Sequence, residues 1–203
     1  MQAQQTYLAL GDSYTIGEGV PTNENWPNLL IQQLNEEGAH FQQPKIIATT
    51  GWRTDELQEA IKDSELDEDY DLVSLLIGVN NQYQKKPIEQ YKKEFEELLQ
   101  TAIAKSKRGH LSTFVVSIPD YGVTEFAKSK NLENVGKALV EYNTIAAQIA
   151  AKYEVPFYNI TPVSINCEAD ETMFVEDLLH PSSKQYQLWV DVFYENVREL
   201  LKE

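Results

Sequence analysis

Two short segments near opposite ends of the chain together hold a nucleophile, a base and a carboxylate. One reads Gly11-Asp12-Ser13-Tyr14, and the other reads Asp177-Leu178-Leu179-His180-Pro181. A serine hydroxyl is almost unreactive at neutral pH, so it needs an imidazole to take its proton and a carboxylate to orient that imidazole. The two segments therefore predict a catalytic triad of Ser13, His180 and Asp177.

The choice of base follows from the small number of histidines. The chain has only His40, His110 and His180, and of these only His180 has an acidic residue close by in an organised segment. Asp177 lies three residues before it, so the carboxylate can reach an imidazole nitrogen within a single turn of backbone. The competing interpretation is a solvated acidic loop, which would also include Asp170, Glu171 and Glu176.

Charge and composition limit the classes of partner. The 203 residues include 32 acidic and 17 basic side chains, for a net charge of -15. Such a surface repels phosphate backbones, which argues against nucleic acid as a partner. No apolar stretch approaches the roughly 18 residues of a spanning helix, so we expect no stable membrane insertion. The single cysteine, Cys167, excludes an internal disulfide and a multi-cysteine metal site.

Features that the sequence lacks bear on its use of cofactors and on its cellular compartment. A metal site would have to combine His180 with scattered carboxylates, and no second histidine stands at a paired spacing. We therefore expect neither a metal nor a cofactor. The first five residues lack the basic start and apolar centre of a secretion signal. We expect a cytoplasmic protein, or a periplasmic or secreted one whose signal was removed before this numbering begins.

Short apolar runs alternate with longer amphipathic patterns along the chain. The runs are nearly continuous in hydrophobicity, as in parallel strands that helices cover on both faces. The predicted strands are residues 6–10, 45–48, 71–77, 112–118 and 156–160. The predicted helices are residues 26–37, 54–64, 87–105, 131–153 and 181–202. Five strand-then-helix units predict a single three-layer α/β/α domain over residues 1–203, with a five-stranded parallel sheet.

Helix-end signals support these boundaries. Gly38 follows the first helix as a predicted left-handed cap, and Pro87 and Pro181 stand where a first helical residue needs no hydrogen-bond donor. In such a sheet, ligands bind beyond the carboxyl ends of the strands. The loops at that edge carry the residues that could take part in catalysis. They are Ser13 after the first strand, Gly51 after the second, Asn80 after the third, and Asp177 and His180 after the fifth.

These loop segments resemble the four blocks of the GDSL, or SGNH, hydrolase family, which is named for its Ser, Gly, Asn and His. The matching segments are Gly11-Asp12-Ser13-Tyr14, Gly51, Gly78-x-Asn80 and Asp177-x-x-His180-Pro181. The resemblance extends over residues 10–180 and implies a flavodoxin-like sandwich and a serine esterase or lipase. The family's third block usually continues with aspartate, where this chain has Asn81. That difference bears on the support of the loop more than on the chemistry.

The resemblance also points to an oxyanion hole. Its donors would be the backbone N–H groups of Ser13 and Gly51 and the side-chain amide of Asn80. Glycine suits position 51 because it has no β-carbon to block a ligand, and asparagine donates without adding a charge. With the triad, these donors predict two-step acyl transfer.

The substrate pocket is predicted from loop residues. The candidates for its walls are Tyr14, Trp52, Val79, Tyr83, Tyr121, Val123 and Phe126. We predict a small or medium pocket for a small-molecule ester: a short- to medium-chain acyl ester, a lysophospholipid or a thioester. Two alternatives stay open. One is removal of O-acetyl groups from a carbohydrate, which the resemblance also allows, and the other is a non-catalytic binding module on the same fold.

Overall fold

The predicted apolar runs form one sheet in the computed structural model, which describes residues 4–202. The strands are β1 (Tyr7–Gly11), β2 (Lys45–Ala48), β3 (Leu72–Leu76), β4 (Thr113–Val116) and β5 (Phe157–Tyr158). All neighbours pair in parallel, in the order β2-β1-β3-β4-β5. Every residue of β1, β3 and β4 is buried, which explains why these runs do not alternate with polar residues. The predicted fold class is confirmed.

Nine α-helices connect and follow the strands within residues 4–202. They are α1 (Ser13–Ile16), α2 (Trp26–Glu36), α3 (Thr54–Asp63), α4 (Val79–Tyr83), α5 (Ile88–Lys105), α6 (Glu125–Ser129), α7 (Val135–Lys152), α8 (Thr161–Asn166) and α9 (Ser183–Leu200). Short 3-10 turns cover Thr22–Glu24, Gly109–Ser112, Tyr121–Val123 and Glu171–Met173. None of the helices in the described residues is long and apolar enough to cross a membrane.

The long helices form two layers on opposite faces of the sheet. Helix α2 packs against α9, and α5 packs against both α3 and α7. Aromatic rings fill the first layer, where Trp26 lies 6.2 Å from Phe114 and 5.8 Å from Phe193 in edge-to-face contacts. The packing of α9 against α2 brings the C-terminal part of the chain back toward β1, although β5 lies three strands away.

Three predicted helix starts are wrong. Helix α7 begins at Val135 and not at residue 131, because Asn131 and Asn134 have positive φ of 51° and 61°, which an α-helix does not allow. Helix α9 begins at Ser183, because Pro181 forms an antiparallel bridge with Phe174 instead of opening the helix. Helix α5 begins at Ile88, and Pro87 is its N-cap. Gly38 adopts the predicted left-handed conformation, with φ of 98°.

Gly38 and Gly78 form a matched pair for testing backbone strain against steric overlap. Both have positive φ, but a β-carbon at Gly38 would meet no atom within 4 Å, whereas one at Gly78 would lie 2.4 Å from the Tyr91 ring. We expect Gly38→Ala to lower the free energy of unfolding by about 1 kcal/mol through strain alone. Gly78→Ala should lower the free energy of unfolding by about 1–3 kcal/mol more than Gly38→Ala does, because its β-carbon overlaps the Tyr91 ring. Urea denaturation measures both, and equal losses would contradict the expectation.

Candidate active site

The sheet order explains why loops distant in sequence meet at one edge. Strand β1 lies between β2 and β3, so the loop that carries Ser13 has the Gly51 loop on one side and the Asn80 loop on the other. Ser13, Gly51, Asn80 and His180 all line the same cavity. The structure therefore brings these four predicted site residues together.

The predicted triad has hydrogen-bonding geometry throughout. His180 Nε2 lies 2.9 Å from Ser13 Oγ, and His180 Nδ1 lies 2.5 Å from Asp177 Oδ2. Ser13 and His180 are buried, at 4% and 7% exposure. The tilted ring of Tyr14 lies 5.6 Å from the imidazole, centroid to centroid, and restricts its movement. A hydroxyl, an imidazole and a carboxylate in this order can transfer a proton away from the serine.

Asp177 is fixed by its own loop. Its Oδ1 accepts hydrogen bonds from the backbone N–H groups of Leu179 and His180, both at 2.9 Å. Partial burial raises the pKa of Asp177, but the hydrogen bonds from the His180 ring and from these N–H groups outweigh burial, so the pKa lies below its ordinary value. The carboxylate therefore stays charged and oriented toward the imidazole.

A hairpin-like segment presents Asp177 and His180 to the site. The N–H of Val175 donates to the carbonyl of His180 at 2.9 Å, beside the bridge between Phe174 and Pro181. At the tip, Leu178 has a positive φ of 57°. Its carbonyl accepts a hydrogen bond from the Phe126 N–H at 3.2 Å. Helix α6 thus holds the tip of the segment that carries Asp177 and His180.

A tight turn carries Gly51. The N–H of Trp52 donates to the carbonyl of Thr49 at 3.2 Å, and Gly51 has φ of 86°. This left-handed conformation, together with its place in the cavity wall, is the reason for glycine there. The Thr50 hydroxyl donates to Glu18 and ties the turn to the loop after β1. Within residues 4–202, the N–H groups of Ser13 and Gly51 donate to no other protein atom.

The third predicted oxyanion donor is held by the same turn. Asn80 Nδ2 donates one hydrogen bond to the Trp52 carbonyl at 2.9 Å, which leaves its second N–H for a ligand. The neighbouring Asn81 is fully buried and binds Thr54 through both ends of its amide. The residue that departs from the expected family pattern therefore both donates and accepts through its side-chain amide.

The cavity beside Ser13 has a volume of about 160 Å³. Five of the predicted wall residues line it, namely Tyr14, Val79, Tyr83, Tyr121 and Phe126. Trp52 and Val123 do not, and the side chain of Trp52 instead packs against the core. Sequence reasoning missed Thr50 and Leu179, which also line the cavity. Both are immediate neighbours in sequence of predicted site residues, and that adjacency was the available signal.

Asp12, directly before the predicted nucleophile Ser13, is fully buried. Its Oδ1 accepts the Tyr14 N–H at 3.0 Å and caps helix α1, whereas Oδ2 has no hydrogen-bond partner within residues 4–202. Burial raises the pKa of Asp12 to about 7, although the hydrogen bond from Tyr14 opposes this rise. A neutral carboxyl group therefore lies next to Ser13 below neutral pH.

Asp12→Asn should remove one component of the pH dependence of stability. Between about pH 4 and 7, Asp12 is ionised in the unfolded chain and protonated in the folded one. The folded state then holds one more proton, so the free energy of unfolding falls as pH rises, by up to about 1.4 kcal/mol per pH unit. Asparagine cannot titrate.

Urea denaturation of both proteins from pH 5 to 8.5 measures this effect. The stability of Asp12→Asn relative to the wild type should increase up to about pH 7 and stay constant above it. A difference that is independent of pH would contradict the assignment of a buried, protonated Asp12.

The sequence matches a known protein family. The sequence profile of the GDSL-like Lipase/Acylhydrolase family matches residues 9–188. No curated protein matches the chain at a significant level. Within residues 4–202, no three His, Cys, Asp or Glu side chains are grouped as metal ligands.

Several solved structures share the fold. A psychrotrophic esterase, EstA, from Pseudoalteromonas sp. is 18% identical, with a TM-score of 0.69 and coverage of 98% of this chain and 100% of that one. A lipase/acylhydrolase from Enterococcus faecalis is 19% identical, with a TM-score of 0.71 and 98% coverage of each chain. A mutant of Axe2, an acetyl-xylooligosaccharide esterase from Geobacillus Stearmophilus, is 15% identical, with a TM-score of 0.70 and coverage of 95% and 94%. Because the family match spans most of the sequence, the chain belongs to the GDSL-like lipase/acylhydrolase family and is an ester-hydrolysing enzyme.

Proposed function

We propose that the protein is a serine esterase for short-chain carboxylic esters, with Ser13 as nucleophile, His180 as general base and Asp177 as its orienting carboxylate. The observation that carries the proposal is the unbroken set of hydrogen bonds from Ser13 Oγ through the imidazole to Asp177. It lies at the wall of a cavity that three potential oxyanion donors also line.

In the first step, His180 Nε2 takes the Ser13 hydroxyl proton while Oγ attacks the ester carbonyl carbon. The N–H groups of Ser13, Gly51 and Asn80 donate hydrogen bonds that stabilise the negative charge developing on the carbonyl oxygen. Asp177 stabilises the imidazolium through Nδ1–H. The imidazolium then protonates the alkoxy oxygen, and the alcohol leaves an acyl group on Ser13.

In the second step, water replaces the alcohol. His180 takes a proton from the water, whose oxygen attacks the acyl carbon, and the same donors hold the second oxyanion. Collapse returns the proton to Ser13 Oγ and releases the carboxylic acid. No group besides the protein and water is needed to balance either step.

The size of the cavity supports a short acyl chain. Its volume of about 160 Å³ is close to that of an apolar cavity of about 150 Å³ that accommodates benzene, which corresponds to about six carbon atoms. Tyr83 packs on Tyr121 and Phe126, with ring centroids 6.2 and 6.5 Å apart, and these rings form an apolar wall. The cavity size disfavours lysophospholipids among the predicted substrates, because their acyl chains are longer.

Removal of an O-acetyl group from a carbohydrate is the second candidate. The acetyl group fits the same cavity, and one structure with this fold is an acetyl-xylooligosaccharide esterase. Acetylated xylo-oligosaccharides assayed beside simple acetate esters separate the two. A kcat/KM at least tenfold higher on the oligosaccharides would favour the carbohydrate substrate.

Hydrolysis of p-nitrophenyl esters from acetate to decanoate tests the proposal. We expect the highest kcat/KM between two and six acyl carbons and a steep decrease at ten. Ser13→Ala should lose at least about 10³-fold in kcat, because the nucleophile acts with the triad as a unit. Equal rates for Ser13→Ala and the wild type would refute the esterase mechanism.

Phe126→Ala tests the wall, and Val123→Ala is its matched control. Phe126 lines the cavity, so its truncation should move the optimum toward longer chains, whereas Val123 lies in the preceding turn and does not line the cavity. The same optimum in both variants would contradict the assigned wall.

Asp177→Asn should lower kcat by about 10³–10⁴-fold, because asparagine favours the wrong imidazole tautomer. Asp170→Asn is the control. Asp170 lies in the same acidic loop but pairs with Lys184, so we expect kcat within about twofold of the wild type. Similar small effects of both substitutions would favour the solvated-loop interpretation of Asp177.

A further inference from the structure

A chain of hydrogen bonds, fully buried except at its Glu94 end, joins the loops that carry Gly51 and Asn80. Asn81 Nδ2 donates to Thr54 Oγ1 at 2.7 Å, and Thr54 Oγ1 donates to Glu94 Oε2 at 2.5 Å. In the other direction, the Thr54 N–H donates to Asn81 Oδ1 at 3.1 Å. Asn81 and Thr54 are completely buried. Bulk solvent therefore cannot supply a hydrogen bond in place of a missing partner of either residue.

The direction of this chain is determined by the number of protons. A threonine hydroxyl has one proton, and a carboxylate can only accept a hydrogen bond. Thr54 must therefore use its hydroxyl proton for the bond to Glu94. Thr54 Oγ1 must then accept from position 81, whose side chain must also accept the Thr54 N–H. Only a side chain with a donor and an acceptor satisfies both bonds, and an amide has this pair.

The two loops that this chain joins carry the oxyanion donors. Asn81 directly follows Asn80, and Thr54 begins helix α3 directly after the turn that contains Gly51. A second bond, from Asn80 Nδ2 to the Trp52 carbonyl, joins the same two loops at 2.9 Å. The Asn81 amide therefore helps to determine where the N–H of Gly51 and the amide of Asn80 lie relative to each other.

We propose that Asn81 is a positioning residue for the oxyanion hole, and that its amide and the Glu94 carboxylate are a matched donor–acceptor pair coupled through Thr54. This inference rests on the proposed serine esterase mechanism. It assigns a role to two residues that do not line the substrate cavity.

Asn81→Asp is the direct test, since aspartate has nearly the same shape but, when ionised, only acceptors. An aspartate oxygen would then face Thr54 Oγ1 with no proton between the two atoms, because the single hydroxyl proton of Thr54 is donated to Glu94. We expect kcat at pH 8 to fall about 10–100-fold. This loss is smaller than the 10²–10³-fold typical of deleting an oxyanion donor. KM should change little, because the acyl wall is untouched.

The matched second variant is Asn81→Asp combined with Glu94→Gln. The glutamine amide can donate to Thr54 Oγ1, whose proton then turns toward the aspartate, so the chain is complete in the opposite direction. The bond from Gln90 Nε2 to Glu94 Oε1 is compatible with this exchange. We expect the double variant to have at least tenfold higher kcat than Asn81→Asp alone. Glu94→Gln completes the double-mutant cycle.

Thermal unfolding and a second pair of variants separate positioning from folding. Thr54→Val removes the hydroxyl, whereas Thr54→Ser keeps it, so only Thr54→Val should lose kcat at unchanged KM. This pair tests the inference even if Asn81→Asp does not fold.

Three outcomes would overturn the inference while Ser13-dependent hydrolysis remains. They are wild-type kcat in Asn81→Asp, equal impairment of Asn81→Asp and the double variant, and a loss of kcat that the folded fraction fully explains. Hydrolysis that does not depend on Ser13 would instead remove the proposed function, and the inference with it.

Discussion

The hydrogen bond between Ser13 Oγ and His180 Nε2, 2.9 Å long, joins two residues that lie 167 positions apart in the chain. Strand β1 places Ser13 near the middle of the sheet, whereas β5, the last strand before His180, forms the far edge. The intervening segment must therefore return across the carboxyl ends of the strands. Packing of α9 against α2 and the hairpin-like segment around Asp177 accomplish that return.

The two halves of the site have different structural origins. The proposed base and its carboxylate come from one short segment whose own backbone N–H groups orient Asp177. The proposed oxyanion donors come from three loops that are neighbours because β1 lies between β2 and β3. The bond from Asn80 to Trp52 and the two bonds between Asn81 and Thr54 hold two of these loops together. The sheet supplies the approximate placement, and side-chain amides refine it.

Much of the fold and the site follows from local sequence patterns. The five strands and five long helices were predictable because buried parallel strands and amphipathic helices leave strong periodic signals. The start of α9 was not, since the bridge between Pro181 and Phe174 is a tertiary contact. The same holds for the bonds behind Asn81. Its partner Thr54 lies 27 residues earlier in the chain, and Glu94, which accepts from Thr54, lies on a third helix, so no local pattern links the three residues. The burial of Asp12 depends on the packed core, so the sequence around it does not indicate that this helix-capping carboxyl group is excluded from water.

The proposed mechanism requires that His180 activate Ser13. Reaction with a fluorophosphonate, followed by peptide mapping by mass spectrometry, tests this activation without knowledge of the natural substrate, because such reagents modify activated serines. We expect one adduct per chain, on Ser13, formed at least about 10²-fold more slowly in His180→Ala. An adduct on another residue, or the same labelling rate without His180, would contradict it.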